Sequence, residues 1–568
     1  FLFKITFSQI SSEENIGIQE VLVVKPYTPS LSDALKIKSV PKFPDSLISS
    51  DNQLIYIVKA VPVFTTFEPN KASPIKLNQR SSSTPYNTIF SGAVGNKNQL
   101  FVNISSVIEI NRNQRFGFNY YRDGFGTNVN NTILKSNQNY GRFGLNHNFR
   151  STEYNANTHI EFKANTNNYF GLYNRDWDLQ TINSIDPTIK RSFFKFSSIW
   201  NWYDLFLKRI TFQANLNSDN YNTSEQEMAV ESKFEIDLNF GELITEIHLV
   251  GFNSRFDSSF FENQIQEFTQ GKGIANLFWR YNKSGIKFKI GAGGVYLNGV
   301  ESISSNFLYY PKVEISYQKN ENILSPYLNA NGGVFFNTYK TLSEYNPYLA
   351  PISNLQPTFK RYNAILGVRT RLSSVLNFDF GILYDQVENF NYFERLPYDN
   401  WSQNDGYRLS NSFQSKYINT DIYGIKANFR IDLAKNNFIH FETLYRIYNS
   451  IDNQNLWNVP SLEMNWKSQL KLSEQFSFSI NGNLWGDRKA AFRPIFIDQN
   501  LNNVQIISEN LPIFLTTAAH LTYKISEQFD IFIKSRFNSS GIHGRWLYFK
   551  EPPLLFVGGL NYKFDFQY

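Results

Sequence analysis

Residues that could perform catalysis or bind a metal are few in this chain and lie far apart in it. The 568 residues include no cysteine, which excludes a thiolate metal site and a disulfide framework. No two histidines have a ligand spacing such as His-x-x-x-His, and no serine stands in the sequence context of a catalytic nucleophile. The six histidines are His147, His159, His248, His440, His520 and His543. The sequence therefore predicts no enzyme, no cofactor and no metal site.

Aromatic side chains are the second group with binding chemistry. Phe, Tyr and Trp make up 17% of the chain, and several fall in long stretches that lack a strand pattern. The candidates for ligand contact in these stretches are Tyr345, Tyr348, Tyr392 and Trp401, with Tyr407 in the same region. Such rings could stack on sugars. They could equally line a membrane interface or pack the loops against each other.

Charge excludes one class of partner. The net charge is +6, and the basic residues are spread along the chain without the clusters that nucleic-acid binding requires. Charged residues on alternating positions predict salt bridges between neighbouring strands, with Asp487 and Arg488 as one candidate set. A solute path lined by these charges is the alternative interpretation.

The last stretch of the chain carries the clearest structural pattern. Every second residue is apolar, and the residues between them are polar or charged, which is the side-chain period of a β-strand. The apolar face is long enough to cross a bilayer as a tilted strand of roughly 9–11 residues. The apolar positions are Leu554, Phe556, Leu560, Tyr562, Phe564 and Phe566, and the polar ones are Asn561, Lys563 and Asp565.

The same alternation recurs from residue 86 to the end and predicts about 22 strands. The connections alternate between short turns and long loops such as 126–137, 173–188, 338–360 and 393–412. The sequence contains no run of 18 or more consecutive apolar residues, so it predicts no transmembrane helix. Because lipid cannot pair with the backbone of an open sheet edge, the first and last strands must pair. We therefore predict an all-β fold, a transmembrane antiparallel up-and-down β-barrel over residues 86–568 in contact with outer-membrane lipid.

The region before the barrel differs from it. Residues 1–9 read as the remnant of a signal peptide, with an ordinary short strand as the alternative. Residues 10–85 are broken by prolines and hold too few apolar residues for a core of their own. We predict an irregular periplasmic arm there, which becomes ordered on contact with a partner.

Four segments resemble the barrel of TonB-dependent outer-membrane receptors of Bacteroidota-type bacteria. They are Gly92–Asn96, Tyr345–Pro351, Asp487–Ala490 and Pro552–Phe564. The resemblance implies 22 strands, the outer membrane of a Gram-negative cell, and solute or nutrient uptake driven by the inner-membrane partner TonB.

The chain departs from that family before the barrel, where the family carries a plug domain. Residues 10–85 are too few and too proline-broken for a complete plug, so we expect a reduced one. The run Glu20, Val21, Leu22, Val23 and Val24 is similar to a TonB box, a segment that TonB captures by strand addition. Its alternative is a strand that pairs with another periplasmic protein.

Three functions follow as expectations. The first is a receptor-like barrel with a reduced plug that acts in solute passage or uptake. The second is a non-transporting envelope scaffold whose arm docks a periplasmic partner. The third is a barrel enzyme. Because a barrel of about 22 strands leaves a wide interior, we expect residues 10–84 or inward-folded outer loops to occupy it.

Overall fold

The computed structural model describes residues 86–566, apart from 174–176, 257–264, 301–302, 304, 319–323, 353–354, 399–404, 452–453, 493–505, 540 and 542. The predicted arm, the run Glu20–Val24 and Trp401 lie outside the described residues. No described helix is long and apolar enough to cross a membrane.

Strands account for most of the described chain, with two short α-helices in the loops. The helices are α1 (Leu179–Asn183) and α2 (Tyr339–Tyr345). The strands are β1 (Thr88–Gly95), β2 (Gln99–Asn111), β3 (Gln114–Phe125), β4 (Gln138–Arg150), β5 (Tyr154–Asn168), β6 (Thr188–Trp202), β7 (Leu207–Asp219), β8 (Ser224–Leu238), β9 (Gly241–Phe256), β10 (Gln266–Lys283), β11 (Ile286–Asn298), β12 (Phe307–Tyr317), β13 (Leu324–Phe335), β14 (Thr358–Arg371), β15 (Leu376–Arg395), β16 (Phe413–Ala434), β17 (Asn437–Ser450), β18 (Leu462–Lys471), β19 (Phe476–Gly486), β20 (Arg488–Phe492), β21 (Ile507–Leu511), β22 (Phe514–Lys524), β23 (Phe529–Asn538) and β24 (Leu554–Phe564).

The sheet is a closed barrel of 22 antiparallel strands. Each barrel strand pairs with its neighbours in sequence, and β1 closes the cylinder against β24 in a register from Thr88–Phe564 to Gly95–Val557. Strands β20 and β21 form a separate hairpin within the loop between β19 and β22. The predicted fold class and strand number are confirmed.

The closing strand has the two faces that its sequence predicts. Leu554, Phe556 and Leu560 point outward with 40–48% of their surface exposed. On the inward face Lys563 forms an ion pair with Asp530 of β23, at 2.8 Å. The apolar side chains are therefore outside the barrel and the charges inside.

The two ends of the barrel differ in their connections. At one end, called here the turn end, the connections are short: 112–113, 151–153, 203–206, 239–240, 284–285, 318–323, 372–375, 435–436, 472–475 and 525–528. At the other end, called the loop end, they include 126–137, 169–187, 336–357, 396–412, 487–513 and 539–553. As the predicted alternation requires, the short turns lie at one end of the barrel and the long loops at the other.

Outward aromatic rings pair with one another near the turn end. Their centroid distances are 5.4 Å for Tyr154–Trp200, 4.9 Å for Trp279–Phe288, 4.7 Å for Phe476–Tyr523 and 5.1 Å for Phe529–Tyr562. Rings at this position match the aromatic belt at the interface of a transmembrane barrel.

One junction in the wall has little backbone pairing. The register of β12 with β13 contains four pairs, from Val313–Ala330 to Ser316–Tyr327, whereas the closing junction of β1 with β24 contains eight. Beyond Val313, side chains rather than a ladder hold the strands together. The Val334 carbonyl accepts a hydrogen bond from Lys272 Nζ of β10 at 3.1 Å, and Tyr310 lies against Gly332.

Candidate functional site

The loops at the loop end pack together across the barrel mouth. Loops 126–137, 169–187, 336–357, 396–412 and 539–553 contribute to one buried apolar cluster, and we call these five loops the loop cap. Strand residues at the mouth complete the cluster. Its buried members are Leu134, Tyr169, Phe170, Leu172, Trp177, Ile189, Phe256, Tyr339, Leu342, Tyr348, Leu349, Ala350, Ile352, Phe393, Leu396, Tyr407, Leu409, Phe413, Trp546 and Phe549.

Helix α2 lies in the loop between β13 and β14 and begins at an N-cap. The Thr338 hydroxyl accepts a hydrogen bond from the Thr341 amide at 3.1 Å, which satisfies one of the free donors of the first turn. The Glu225 carboxylate of β8 accepts a second bond from the Lys340 amide at 2.9 Å. The start of α2 is thus attached to a strand far from β13 and β14 in the barrel.

Arg191 of β6 anchors the same loop from another part of the wall. Its guanidinium donates to the carbonyls of Pro347 at 2.8 Å and Leu349 at 2.9 Å, and to the Tyr339 hydroxyl at 3.1 Å. The side chain is 7% exposed. Burial raises the pKa of Tyr339 well above its usual range, although the Arg191 charge opposes this shift. Tyr339 therefore stays a neutral hydroxyl that accepts from the cation.

Arg395 at the end of β15 joins two further loops. It donates to the Leu547 carbonyl at 3.0 Å and to the Gly171 carbonyl, and its guanidinium lies 4.7 Å from the centre of the Tyr548 ring. Loops 169–187 and 539–553 are thus held together through one buried cation. Because a buried carbonyl without a partner is costly, these bonds fix the positions of the loop backbones.

Aromatic stacking fills the centre of the cap. Tyr348 and Phe549 stack with centroids 3.6 Å apart, and Gln138 Nε2 donates to the Tyr348 hydroxyl at 3.2 Å. Burial raises the pKa of Tyr348. At the edge of this centre, Arg545 lies 3.6 Å from the Trp485 ring and 4.8 Å from the Tyr345 ring.

The aromatic residues proposed from sequence as ligand contacts differ in their exposure to solvent. Tyr348 is 4% exposed within the cap core, and Tyr392 is 8% exposed on β15. Tyr345, at the end of α2, keeps 44% of its surface exposed. Trp401 is not among the described residues. Ligand contact by these residues stays a prediction, and a ligand at the Tyr348 ring would have to displace Phe549.

A chamber lies beneath the cap on the wall formed by β2 to β6 together with β23 and β24. It has a volume of about 430 Å³ and is lined on one side by Ser343, Glu344 and Pro347 of the cap. An ion pair joins the cap to the wall: Glu344 Oε1 lies 3.5 Å from Lys163 Nζ of β5. We call this cavity the upper chamber.

A second cavity of about 240 Å³, the lower chamber, continues from the first. The residues common to both are Gln99, Tyr121, Asp123, Arg536 and Leu555. Arg536 Nη2 lies 3.9 Å from Asp123 Oδ2 where the chambers meet. The two chambers thus share one stretch of the inner wall next to the closing junction.

No described set of three or more histidine and carboxylate side chains could hold a metal ion. The described histidines also stand apart from one another: His159 Nδ1 pairs with Asn146 Oδ1 at 2.6 Å, and His543 Nε2 with Glu509 Oε1 at 2.8 Å.

Sequence reasoning identified the strands but missed Arg191, Arg395 and helix α2. The helix had a local signal, because Thr338 precedes Tyr339–Tyr345 as an N-cap residue. The two arginines had none, since alternation shows only that they face inward.

No family model matches the sequence, and no curated protein matches it. Solved structures match its fold. The FrpB iron transporter of Neisseria meningitidis has a TM-score of 0.59 at 9% identity, with 84% of this chain and 82% of that chain covered. FpvA of Pseudomonas aeruginosa, solved with bound pyoverdines, has a TM-score of 0.60 at 10% identity and covers 84% and 72%. A mutant of the ferric enterobactin receptor PfeA of Pseudomonas aeruginosa has a TM-score of 0.56 at 12% identity and covers 84% and 80%. These identities show a shared barrel fold.

Proposed function

We propose that this protein is an outer-membrane barrel of the TonB-dependent-receptor kind, which passes or takes up a solute through its lumen. The observation that carries the proposal is the closed barrel of 22 strands with an apolar outside and charges inside. The solved structures of the same fold include an iron transporter and a receptor, by their names.

In this proposal the loop end faces the outside of the cell and the loop cap is the gate on that side. A barrel of this width has an interior that is normally plugged. The cap supplies a closure made of side chains from five loops. Such a closure can open when the loops separate, without any change in the backbone pairing of the wall.

Residues 10–85 act in this proposal as a reduced plug or arm on the periplasmic side. The run Glu20–Val24 is the segment that TonB would capture by strand addition. The matched solved structures of the same fold support a receptor of this kind, and the proline-broken sequence of residues 10–85 supports an arm in place of a full plug domain.

The test is the conductance of the purified protein in planar bilayers, with and without residues 10–84. The chain has no cysteine, so Lys163→Cys and Glu344→Cys can be joined by a short thiol crosslinker to lock the cap to the wall. We expect conductance to rise after arm deletion and to fall again when the cap is locked. The control is the same double variant with both thiols blocked separately.

A barrel that stays silent in every form would contradict solute passage. That outcome would favour the second function predicted from sequence, a scaffold whose arm docks a periplasmic partner. Retention of such a partner from a periplasmic extract, lost when residues 10–84 are deleted, would then identify the arm as the docking element.

A further inference from the structure

Most lysines on the inward face of the described strands have an acidic partner, which lies on the same strand, on a neighbouring strand or, for Lys312 of β12, on β9. The distances are 3.2 Å for Lys163–Glu161, 2.7 Å for Lys233–Glu235, 3.4 Å for Lys289–Glu314, 2.6 Å for Lys312–Glu246, 3.7 Å for Lys360–Asp385, 3.8 Å for Lys426–Glu442 and 2.8 Å for Lys563–Asp530. Such pairing is expected, because an unpaired charge next to apolar walls is costly.

Lys534 of β23 lacks such a pair. It lines the lower chamber, where its Nζ lies 3.5 Å from the centre of the Phe101 ring and 5.1 Å from that of Phe532. Within the part of the chain that the structure describes, its ammonium group has no ion-pair partner. The aromatic faces attract the cation. They do not form the hydrogen bonds with its N–H groups that an oxygen acceptor would form.

The balance of charge in the lower chamber is positive. Its lining contains the cations Lys534 and Arg536 and one carboxylate, Asp123. Asp123 already accepts from Gln99 Nε2 at 3.2 Å and from the Tyr121 hydroxyl at 3.5 Å, and Arg536 lies 3.9 Å away. Asp123 attracts Lys534 only at longer range, without an ion pair or a hydrogen bond between them. The N–H donors of Lys534 therefore remain for another acceptor.

We propose that the lower chamber is a binding site for a small oxyanion, a carboxylate or a phosphate, held by Lys534 with Arg536 beside it. The two side chains point inward from the same strand, two positions apart. The chamber of about 240 Å³ has room for such a group. Charge-assisted hydrogen bonds from an ammonium and a guanidinium are the strong contacts that proteins use for both groups.

The site adds a substrate class to the proposed function. If the barrel passes solutes, then the solute carries a carboxylate or a phosphate and contacts Lys534 below the junction of the two chambers. In that form the inference rests on the proposed function, whereas binding of the anion to the resting protein can be tested without any passage.

The experiment uses the full-length protein in detergent, with its lysines dimethylated by ¹³C-formaldehyde, which preserves their positive charge. The Lys534 signal is assigned by its loss in Lys534→Met. Inorganic phosphate and sodium acetate are titrated in separate arms at constant ionic strength, with chloride as the balancing salt. The signal of Lys426, which is paired with Glu442, is the matched internal control.

We expect a saturable shift of the Lys534 signal with phosphate, acetate or both, and no saturable shift at Lys426. Arg536→Met should weaken the effect roughly fivefold because one charged donor is lost. As its control, Arg430→Met removes another arginine, one that pairs with Asp432 at 2.8 Å, and should leave the effect unchanged.

The two arms separate the sources of the oxyanion. A shift with phosphate alone assigns a phosphate site, and a shift with acetate alone assigns a carboxylate site. If the Lys534 and Lys426 signals respond alike to both anions, the proposal is wrong. Anion binding in a barrel that never conducts would instead overturn solute passage and leave the site in place.

Discussion

Arg191 shows how a single side chain can determine the state of the barrel mouth. A buried guanidinium would normally pair with a carboxylate, but here it donates to two loop carbonyls and to the hydroxyls of Tyr339 and Tyr169. Such buried polar contacts add little to the net free energy of folding, but they favour one loop conformation over others. We therefore expect the cation to specify where loop 336–357 lies rather than whether the barrel folds.

We expect Arg191→Met to loosen the cap and leave the barrel intact. The Pro347 and Leu349 carbonyls lose their partner while still buried, at a cost of about 1–3 kcal/mol each. The measurement is the rate at which protease cleaves loop 336–357 in the folded protein, together with conductance in bilayers. Arg361→Met is the control, because Arg361 is a partly exposed arginine that pairs with Glu388. Equal cleavage of both variants would contradict an anchoring role for Arg191.

Gly171 provides a second test at the same scale. A Cβ at this position would collide with the Phe549 ring, which is 1% exposed and stacked on Tyr348. Gly171→Ala should therefore displace the ring and destabilise the cap by about 1–3 kcal/mol. Gly251→Ala is the matched control, since nothing lies within 4 Å of its added Cβ. Protease sensitivity of loop 539–553 that is equal in the two variants would show that the cap tolerates the change.

At the scale of elements, the weakest part of the wall is the junction of β12 with β13. Its four ladder pairs lie toward the turn end, and Pro311 removes one backbone donor from β12. Toward the loop end the junction depends on Tyr310 of β12, which lies against Gly332 of β13, and on the apolar residues around Val334. A wall held by side chains opens more easily than one held by a ladder, because fewer hydrogen bonds break together.

Amide hydrogen exchange should reveal this difference. Those backbone amides of β12 between Phe307 and Lys312 that face β13 should exchange at least about tenfold faster than those that face β13 between Val313 and Ser316, where the ladder is formed. The strand β11, which pairs with β12 along Ile286–Tyr296, provides the reference amides in the same experiment. Uniform protection along β12 would mean that the side-chain contacts hold the junction as firmly as a ladder.

At the scale of the whole molecule, the alternation of outward and inward residues determines which substitutions the barrel tolerates. Leu560 and Asn561 are neighbours on β24 with opposite orientations, and Leu560 is 40% exposed on the outward face. In a bilayer that exposed surface meets lipid, whereas the inward face meets water and polar groups.

Leu560→Arg should therefore destabilise the protein in lipid vesicles by about 2–4 kcal/mol, measured as the free energy of unfolding in denaturant. The matched variant Asn561→Arg places the same charge on the inward face and should cost less than about 1 kcal/mol. Similar losses for the two variants would contradict a lipid-facing outer surface.

The strands and the closed barrel could be predicted from sequence because their cause is local. Each strand alternates apolar and polar side chains with a period of two, as in Leu554–Phe564, and this alternation is visible in the sequence of the strand alone. The turns at Ser473 and Ser526 are local as well: each serine hydroxyl accepts from the amides that follow it, at 3.0–3.3 Å.

The loop cap could not be predicted in this way. Tyr348 and Tyr345 are both tyrosines of one loop, yet one is buried against Phe549 and the other is half exposed. Likewise, alternation places Lys534 on the inward face but does not show that it lacks the acidic partner that Lys563 has. These facts depend on residues far apart in the chain.

The sequence by itself thus determined a barrel with an apolar outside, a polar inside and two unlike ends, because each strand encodes its own two faces. Only the tertiary structure decided which loops meet at the mouth, which arginines hold them and that Lys534 has no ion-pair partner among the described residues. The physical reason is that these contacts form between segments brought together by closure of the cylinder, and no local pattern records which segments will meet.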